Sequence, residues 1–202
     1  YTGNGTSGAT IGHSLGVKPD MIIFKDRDSA QTWTTYHSSL GATKLVFLNR
    51  TDAFYTEPWL NNTEPTSSVI TLSTYSDVNT SGNNYIAYCF ANTDTTKVGS
   101  YTGNGSSDGP FVYTGFRPAW VMIKNPNAAE SWNILDAVRN PTNVADKYLN
   151  ADSSAAEGTY TSWDFTSNGF KIRNVGGSFN PSGGQIIYLA FAENPFKYAN
   201  AR

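Results

Sequence analysis

Side chains able to carry bond-making chemistry are few in this chain, and their spacing builds no familiar centre. His13 and His37 are the only histidines and Cys89 the only cysteine among 202 residues. Neither histidine adjoins a nucleophile motif, whereas nucleophilic catalysis needs a base within hydrogen-bond reach of the attacking group. Glycoside hydrolysis needs two carboxylates across a cleft, and the sequence shows no such pairing. Asp26-Arg27-Asp28 starts like a calcium-binding loop but lacks the spaced ligands and distal glutamate that would complete one. A solvated turn is the plainer reading. Gly3-Asn4-Gly5 and Gly103-Asn104-Gly105 are not phosphate cradles, because no strand-to-helix passage with further glycines follows. Cys89 lies inside an apolar run and reads as a small buried hydrophobe. One cysteine supports neither a disulfide framework nor a zinc site. The expectation is no catalytic residue, no metal and no cofactor.

Recognition chemistry is better represented. The segment from Ala53 to Thr66 carries Phe54, Tyr55 and Trp59 among Glu57, Asn61, Asn62 and Glu64, with Pro58 and Pro65 marking a long surface loop. Aromatic rings offer a face for stacking and the neighbouring amides offer hydrogen bonds, a mixture found at adaptable recognition surfaces. Trp59, Tyr55, Asn61 and Asn62 are therefore the candidate ligand contacts. The competing reading packs this loop onto its own lobe.

The elements that must position these residues are set by a repeat. Tyr1-Thr2-Gly3-Asn4-Gly5 returns as Tyr101-Thr102-Gly103-Asn104-Gly105. Met21-Ile22-Ile23-Phe24-Lys25 answers Trp120-Val121-Met122-Ile123-Lys124, and Trp33 answers Trp132, all at an offset of 99. Asn79-Thr80-Ser81-Gly82 answers Asn180-Pro181-Ser182-Gly183, and Ile86 to Ala91 answers Ile187 to Ala192, at an offset of 101. Such drift is expected when loops lengthen around a kept set of strands. Short β-prone runs between Gly, Pro and Asn turns predict an all-β fold of two tandem homologous β-sandwich units, 1–97 and 98–202, packed with a pseudo-twofold relation. Trp33 and Trp132 read as core, and Trp59 has no counterpart in the second unit. In the closing strands, Ile187, Leu189 and Phe191 (with Ile86, Tyr88 and Phe90) are expected to face the core. Ala190 and Ala192 (with Ala87, Cys89 and Ala91) are expected to keep the opposite face small. Asp136–Asn143 and Ser153–Glu157 could each hold one helical turn.

Composition narrows the partners. Charged residues make up 15% and the net charge is −2, so no basic footprint for nucleic acid or an anionic membrane is present. Apolar runs of six or seven residues are too short for a membrane-spanning helix. The sequence opens in mid-motif at Tyr1 and shows no signal peptide, which reads as a domain cut from a longer polypeptide or as a processed chain.

The ordered set of motifs carries a resemblance. Tyr-Thr-Gly-Asn-Gly, Gly-x-x-Pro before an apolar strand ending in Lys, Trp, Ser167-Asn168-Gly169-Phe170, and Asn-x-Ser-Gly before Ile-x-x-x-Phe-Ala span residues 1–196. The pattern resembles the duplicated β domain of bacteriophage tail-fibre and other virion-surface proteins, common in marine phages. Unit 1 departs from it at Ser67-Ser68-Val69-Ile70, where Asn-Gly-Phe is expected. The resemblance implies a jelly-roll or lectin-like fold at the virion surface, partnered by other virion proteins and forming a homo-oligomer, trimeric by analogy with fibres. It implies attachment to host-envelope glycan, and no catalytic residues. A purely structural role, as capsid decoration or fibre spacer, is the alternative, and a glycan depolymerase is the second.

Overall fold

Runs rich in Ile, Val, Phe, Tyr and Thr, interrupted by glycine and asparagine turns, suit pleated half-buried surfaces, and the protein is all-β. A computed structural model describes residues 1–194. The chain divides into two compact units, Tyr1–Ala91 and a second beginning at Asn92. The first contains β1 (Ala9–Gly12), β2 (Met21–Asp26), β3 (Thr34–His37), β4 (Lys44–Phe47), β5 (Tyr55–Thr56), β6 (Val69–Leu72), the single helical turn α1 (Ser76–Asn79) and β7 (Tyr85–Phe90). The second contains β8 (Thr96–Thr102), β9 (Phe111–Tyr113), β10 (Pro118–Lys124), β11 (Asn133–Asp136), β12 (Ala145–Asn150), β13 (Gly158–Thr166), β14 (Gly169–Ile172) and β15 (Gln185–Ala192). No helix forms at Asp136–Asn143 or Ser153–Glu157, where turns and irregular chain stand instead.

In the second unit the strands join in the order β8-β15-β10-β11-β12-β13-β14-β9, one antiparallel sheet. Its two edge strands are consecutive in the chain, and the link between them is tied at both ends, Gly103 to Gly184 and Gly109 to Ile172. The sheet must therefore curl, and it comes close to a barrel. Phe170 on β14 meets Tyr101 on β8 at 6.2 Å and Tyr188 on β15 at 5.5 Å, across the sheet's near-meeting ends. Trp163, Phe165, Ile172 and Ile186 complete this core.

The first unit uses the order β5-β4-β3-β2-β7, with β1 paired to β6 in a separate ribbon. The sheet breaks where the second unit places β13, because Pro58, Pro65 and the left-handed pair Asn61 and Asn62 (φ 53° and 52°) prevent a long strand there. Strand registers agree between the units. Ile22 opposes Tyr36 and Cys89, as Val121 opposes Leu135 and Ala190. Ile70 opposes Ile11, as Phe170 opposes Val112.

The repeated pentapeptide is a clasp. Tyr1 and Tyr101 donate their hydroxyls to the carbonyls of Val78 and Phe179, each at 2.7 Å. Buried Asn79 accepts the Asn4 N–H at 2.9 Å and donates to the Thr6 and Ser73 carbonyls. Buried Asn180 accepts the Asn104 N–H at 2.7 Å and donates to Asn104 Oδ1 and the Ser106 carbonyl. A Cβ on Gly3 would lie 2.3 Å from the Thr80 carbonyl oxygen, and one on Gly103 would lie 2.2 Å from that of Pro181. Only glycine lets the two backbones meet there. The lysine ending each apolar strand has a matching task. Lys25 caps the Gln31 carbonyl at 2.6 Å, and buried Lys124 caps those of Glu130 and Ala128.

Two sequence expectations are reversed. Ile186, Tyr188 and Ala190, not the Ile187–Leu189–Phe191 face, pack into the second unit's core. In the first unit Ala87 and Cys89 face the core while Ile86 and Tyr88 are exposed. Side-chain bulk did not reveal the face, because β15 is buried on both sides along most of its length and pairs its large Tyr188 with a glycine. Trp132 is buried as expected, but Trp33 is only half-buried, stacked on Tyr88.

Candidate functional site

The aromatic loop expected to meet a ligand is largely turned inward. Trp59 is fully buried, set edge-on to Phe24 at 5.7 Å, and Leu60 is buried beside it. Its exposure was the premise of its candidacy, and burial removes that premise. The hydrophobic gain of an indole in a vacant core position overrides the polarity of its sequence neighbours. Ser73 N–H donates to the Trp59 carbonyl at 3.2 Å, and among the described residues the indole N–H of Trp59, like that of buried Trp163, has no hydrogen-bond partner. Glu64 pins the far side of the loop. It accepts from Tyr36 Oη at 2.6 Å, from the Ala42 N–H at 2.7 Å and from Lys18 at 2.7 Å. Burial works against ionisation, but these donors hold its carboxyl below the usual range.

The other three candidates do remain at the surface. Tyr55 is partly exposed on β5 and packs on Phe47 at 5.4 Å. Asn61 accepts from Ser7 Oγ at 3.0 Å, and Asn61 and Asn62 are solvent-facing turn residues. Asn61 lines a surface depression that it shares with Ser7, Glu57 and Tyr75. The four do not converge.

The residues with catalytic potential are engaged in turns. Buried His37 accepts the Ser39 N–H on Nδ1 at 3.2 Å, and its counterpart Asp136 accepts the Val138 and Arg139 N–H groups at 3.1 and 2.8 Å. A histidine and an aspartate can exchange at this position because each supplies one short-range acceptor. Asp26 likewise accepts from Asp28 N–H, Ser29 and Asn83. Burial opposes its charge, yet these hydrogen bonds hold its carboxyl down to about 2. Asp26 and Asp28 thus close a turn, as Asn125 does when it accepts the Asn127 N–H at 2.9 Å. Among the described residues no cluster of three His, Cys, Asp or Glu side chains could hold a metal.

The β13 strand of the second unit carries an aromatic side chain at the surface. Tyr160 is half exposed and borders two neighbouring grooves. One, of about 260 Å³, is walled by Tyr148, Glu130, Asn133 and Asn150. The other, of about 450 Å³, runs past Asp146, Thr159 and Arg173. Tyr160 is braced from below by Phe179 in a stacked arrangement at 6.2 Å. Tyr148 lies over Gly158, where a Cβ would come within 2.5 Å of the ring, so glycine holds this ring flat along the groove wall. Glu130 accepts from Ser178 Oγ, and Asn150 donates to Asn133 Oδ1 at 3.2 Å. The result is a rigid aromatic platform beside amide and carboxylate groups. Sequence reasoning missed it.

No curated protein and no solved structure matches the chain. The model of one family matches residues 1–195, nearly its full length. The chain belongs to that family, described as a domain of unknown function, DUF7483.

Proposed function

We propose that the chain is a duplicated, non-enzymatic β module of a bacteriophage surface appendage that attaches to host-envelope glycan through the groove at Tyr160. Duplication into two homologous units is supported by the agreeing strand registers and by the twice-built clasp. The shared clasp and strand-end lysines hold the fold, so a binding function belongs where the units differ. The single observation that carries the glycan reading is the half-exposed, braced Tyr160 between two polar grooves. Sugar rings present apolar C–H faces to an aromatic platform and hydroxyls to neighbouring amides and carboxylates. The virion setting rests on the motif resemblance.

Binding of the purified chain to bacterial envelope polysaccharide tests this. Tyr160→Ala should weaken it about tenfold, roughly 1.4 kcal/mol, with the melting temperature nearly unchanged. Equal binding by the variant and the parent would remove the groove from the function. The inward Trp59 then favours the second reading, a structural spacer or decoration module whose loops serve its own packing.

A further inference from the structure

Glu130 and Asp146 give the grooves at Tyr160 a sign of charge. Glu130 walls the smaller groove and Asp146 the larger, and both residues are partly exposed. Among the described residues neither carboxylate is in an ion pair. Arg173 is the cation that reaches the larger groove, and it is already engaged. Its Nε lies 2.6 Å from Asp164 Oδ2, and its Nη1 lies 3.8 Å from Asp108 Oδ1. The described walls of both grooves therefore present negative charge that no neighbouring cation offsets.

The grooves also follow one strand. Side chains alternate along β12, so Asp146, Tyr148 and Asn150 share a face. Asp146 lines the larger groove, while Tyr148 and Asn150 line the smaller. From Asp146 to Asn150 the strand covers about 13 Å, at its usual rise per residue. Tyr160 stands where the register of β13 on β12 shifts, and it borders both grooves. Together they make a track longer than a single sugar ring, with one aromatic platform between its halves.

We propose that this track takes an internal stretch of an uncharged polysaccharide and rejects acidic ones. The inference rests on the glycan reading above and adds the charge and the extent of the ligand. Hydroxyls of neutral sugars donate to Glu130 and Asp146, and hydrogen bonds to an ionised acceptor are stronger than those between neutral groups. A uronic acid or a phosphate in either groove would face those carboxylates instead. Like charges brought together in a binding site are costly, and such repulsion is a means of specificity. Arg173 does not offset it, because Asp164 already holds the guanidinium.

The test titrates the full chain with a panel of purified bacterial envelope polysaccharides, neutral and acidic. The tightest neutral binder is then oxidised at its primary alcohols to carboxylates, and its binding should weaken at least tenfold. In the double variant Glu130→Gln/Asp146→Asn the gap between the two forms should narrow at least threefold. Fragments of one or two sugars cut from the neutral chain should bind at least tenfold more weakly than fragments of six. An acidic polysaccharide that binds the parent as tightly as any neutral one would overturn the inference and leave the glycan reading standing. So would an undiminished gap in the double variant, or equal binding by short and long fragments. Binding by no member of the panel would remove the glycan reading itself, and the inference with it.

Discussion

Asn180 and Asn104 bind each other twice, with Asn104 N–H donating to Asn180 Oδ1 at 2.7 Å and Asn180 Nδ2 donating to Asn104 Oδ1 at 3.0 Å. Asn180 is fully buried, so its amide has no water to fall back on. Asn79 does the same work for Asn4, Gly5 and Thr6. Truncating either residue leaves buried main-chain donors and acceptors unpaired, at about 1–3 kcal/mol for each stranded group. Asn79→Ala and Asn180→Ala should each lower unfolding free energy by about 2–4 kcal/mol. Chemical denaturation checks this, and a large loss from one with none from the other would contradict a clasp built twice.

Trp59 gives a prediction of the opposite kind from the one its sequence setting suggests. Because it fills the first core beside Phe24 and Leu60, Trp59→Ala should cost about 3–5 kcal/mol. Binding per folded molecule should not change. Urea unfolding followed by tryptophan fluorescence reads the first quantity, and a midpoint equal to that of the parent would place the indole outside the core.

Acid stability should carry the mark of Asp26. Its carboxyl ionises near 2 in the folded chain, below the ordinary 3.8. A depressed acid contributes stability that is complete above about pH 4 and is lost as pH falls toward 2. The contribution is about 2 kcal/mol. Asn125 occupies the matching turn of the second unit, so Asp26→Asn should fold. It should unfold with a shallower dependence on pH between 4 and 2 than the parent. Identical slopes would show that Asp26 is not held by its turn.

The sequence made the repeat, its offsets and most strands of both units legible, because identical motifs and apolar runs survive without any knowledge of contacts. It misplaced Trp59 because a lone aromatic among prolines and asparagines carries no periodicity, and only the tertiary gap beside Phe24 decides where it points. β8 is less legible, because its last residues, Tyr101-Thr102, run straight into Gly103-Asn104-Gly105, a turn signal rather than a strand signal. Tyr160 was hidden for another reason. The register between β12 and β13 shifts between Ala145 and Lys147, so counting alternate residues back from buried Trp163 does not give the face of Tyr160. The clasp asparagines looked like turn residues, and that they are buried could not be read from a turn sequence.

The closing strand offers the sharpest check on which face is core. Ala190 is fully buried among Val121, Ile186 and Tyr188, whereas Phe191 is only half-buried against Trp120 at 5.4 Å. Ala190→Leu forces a further isopropyl group into a filled space and should cost about 1–3 kcal/mol. Tyr188→Ala removes the ring that closes the sheet onto Phe170 and should cost about 3–5 kcal/mol. Phe191→Ala gives up only a partly covered ring, and its loss should fall below that of Tyr188→Ala. The order of the three melting temperatures is the measurement. If Phe191→Ala proved the most damaging, the Ile187–Leu189–Phe191 face would be the energetic core. The packing of Tyr188 on Phe170 would then be secondary to it.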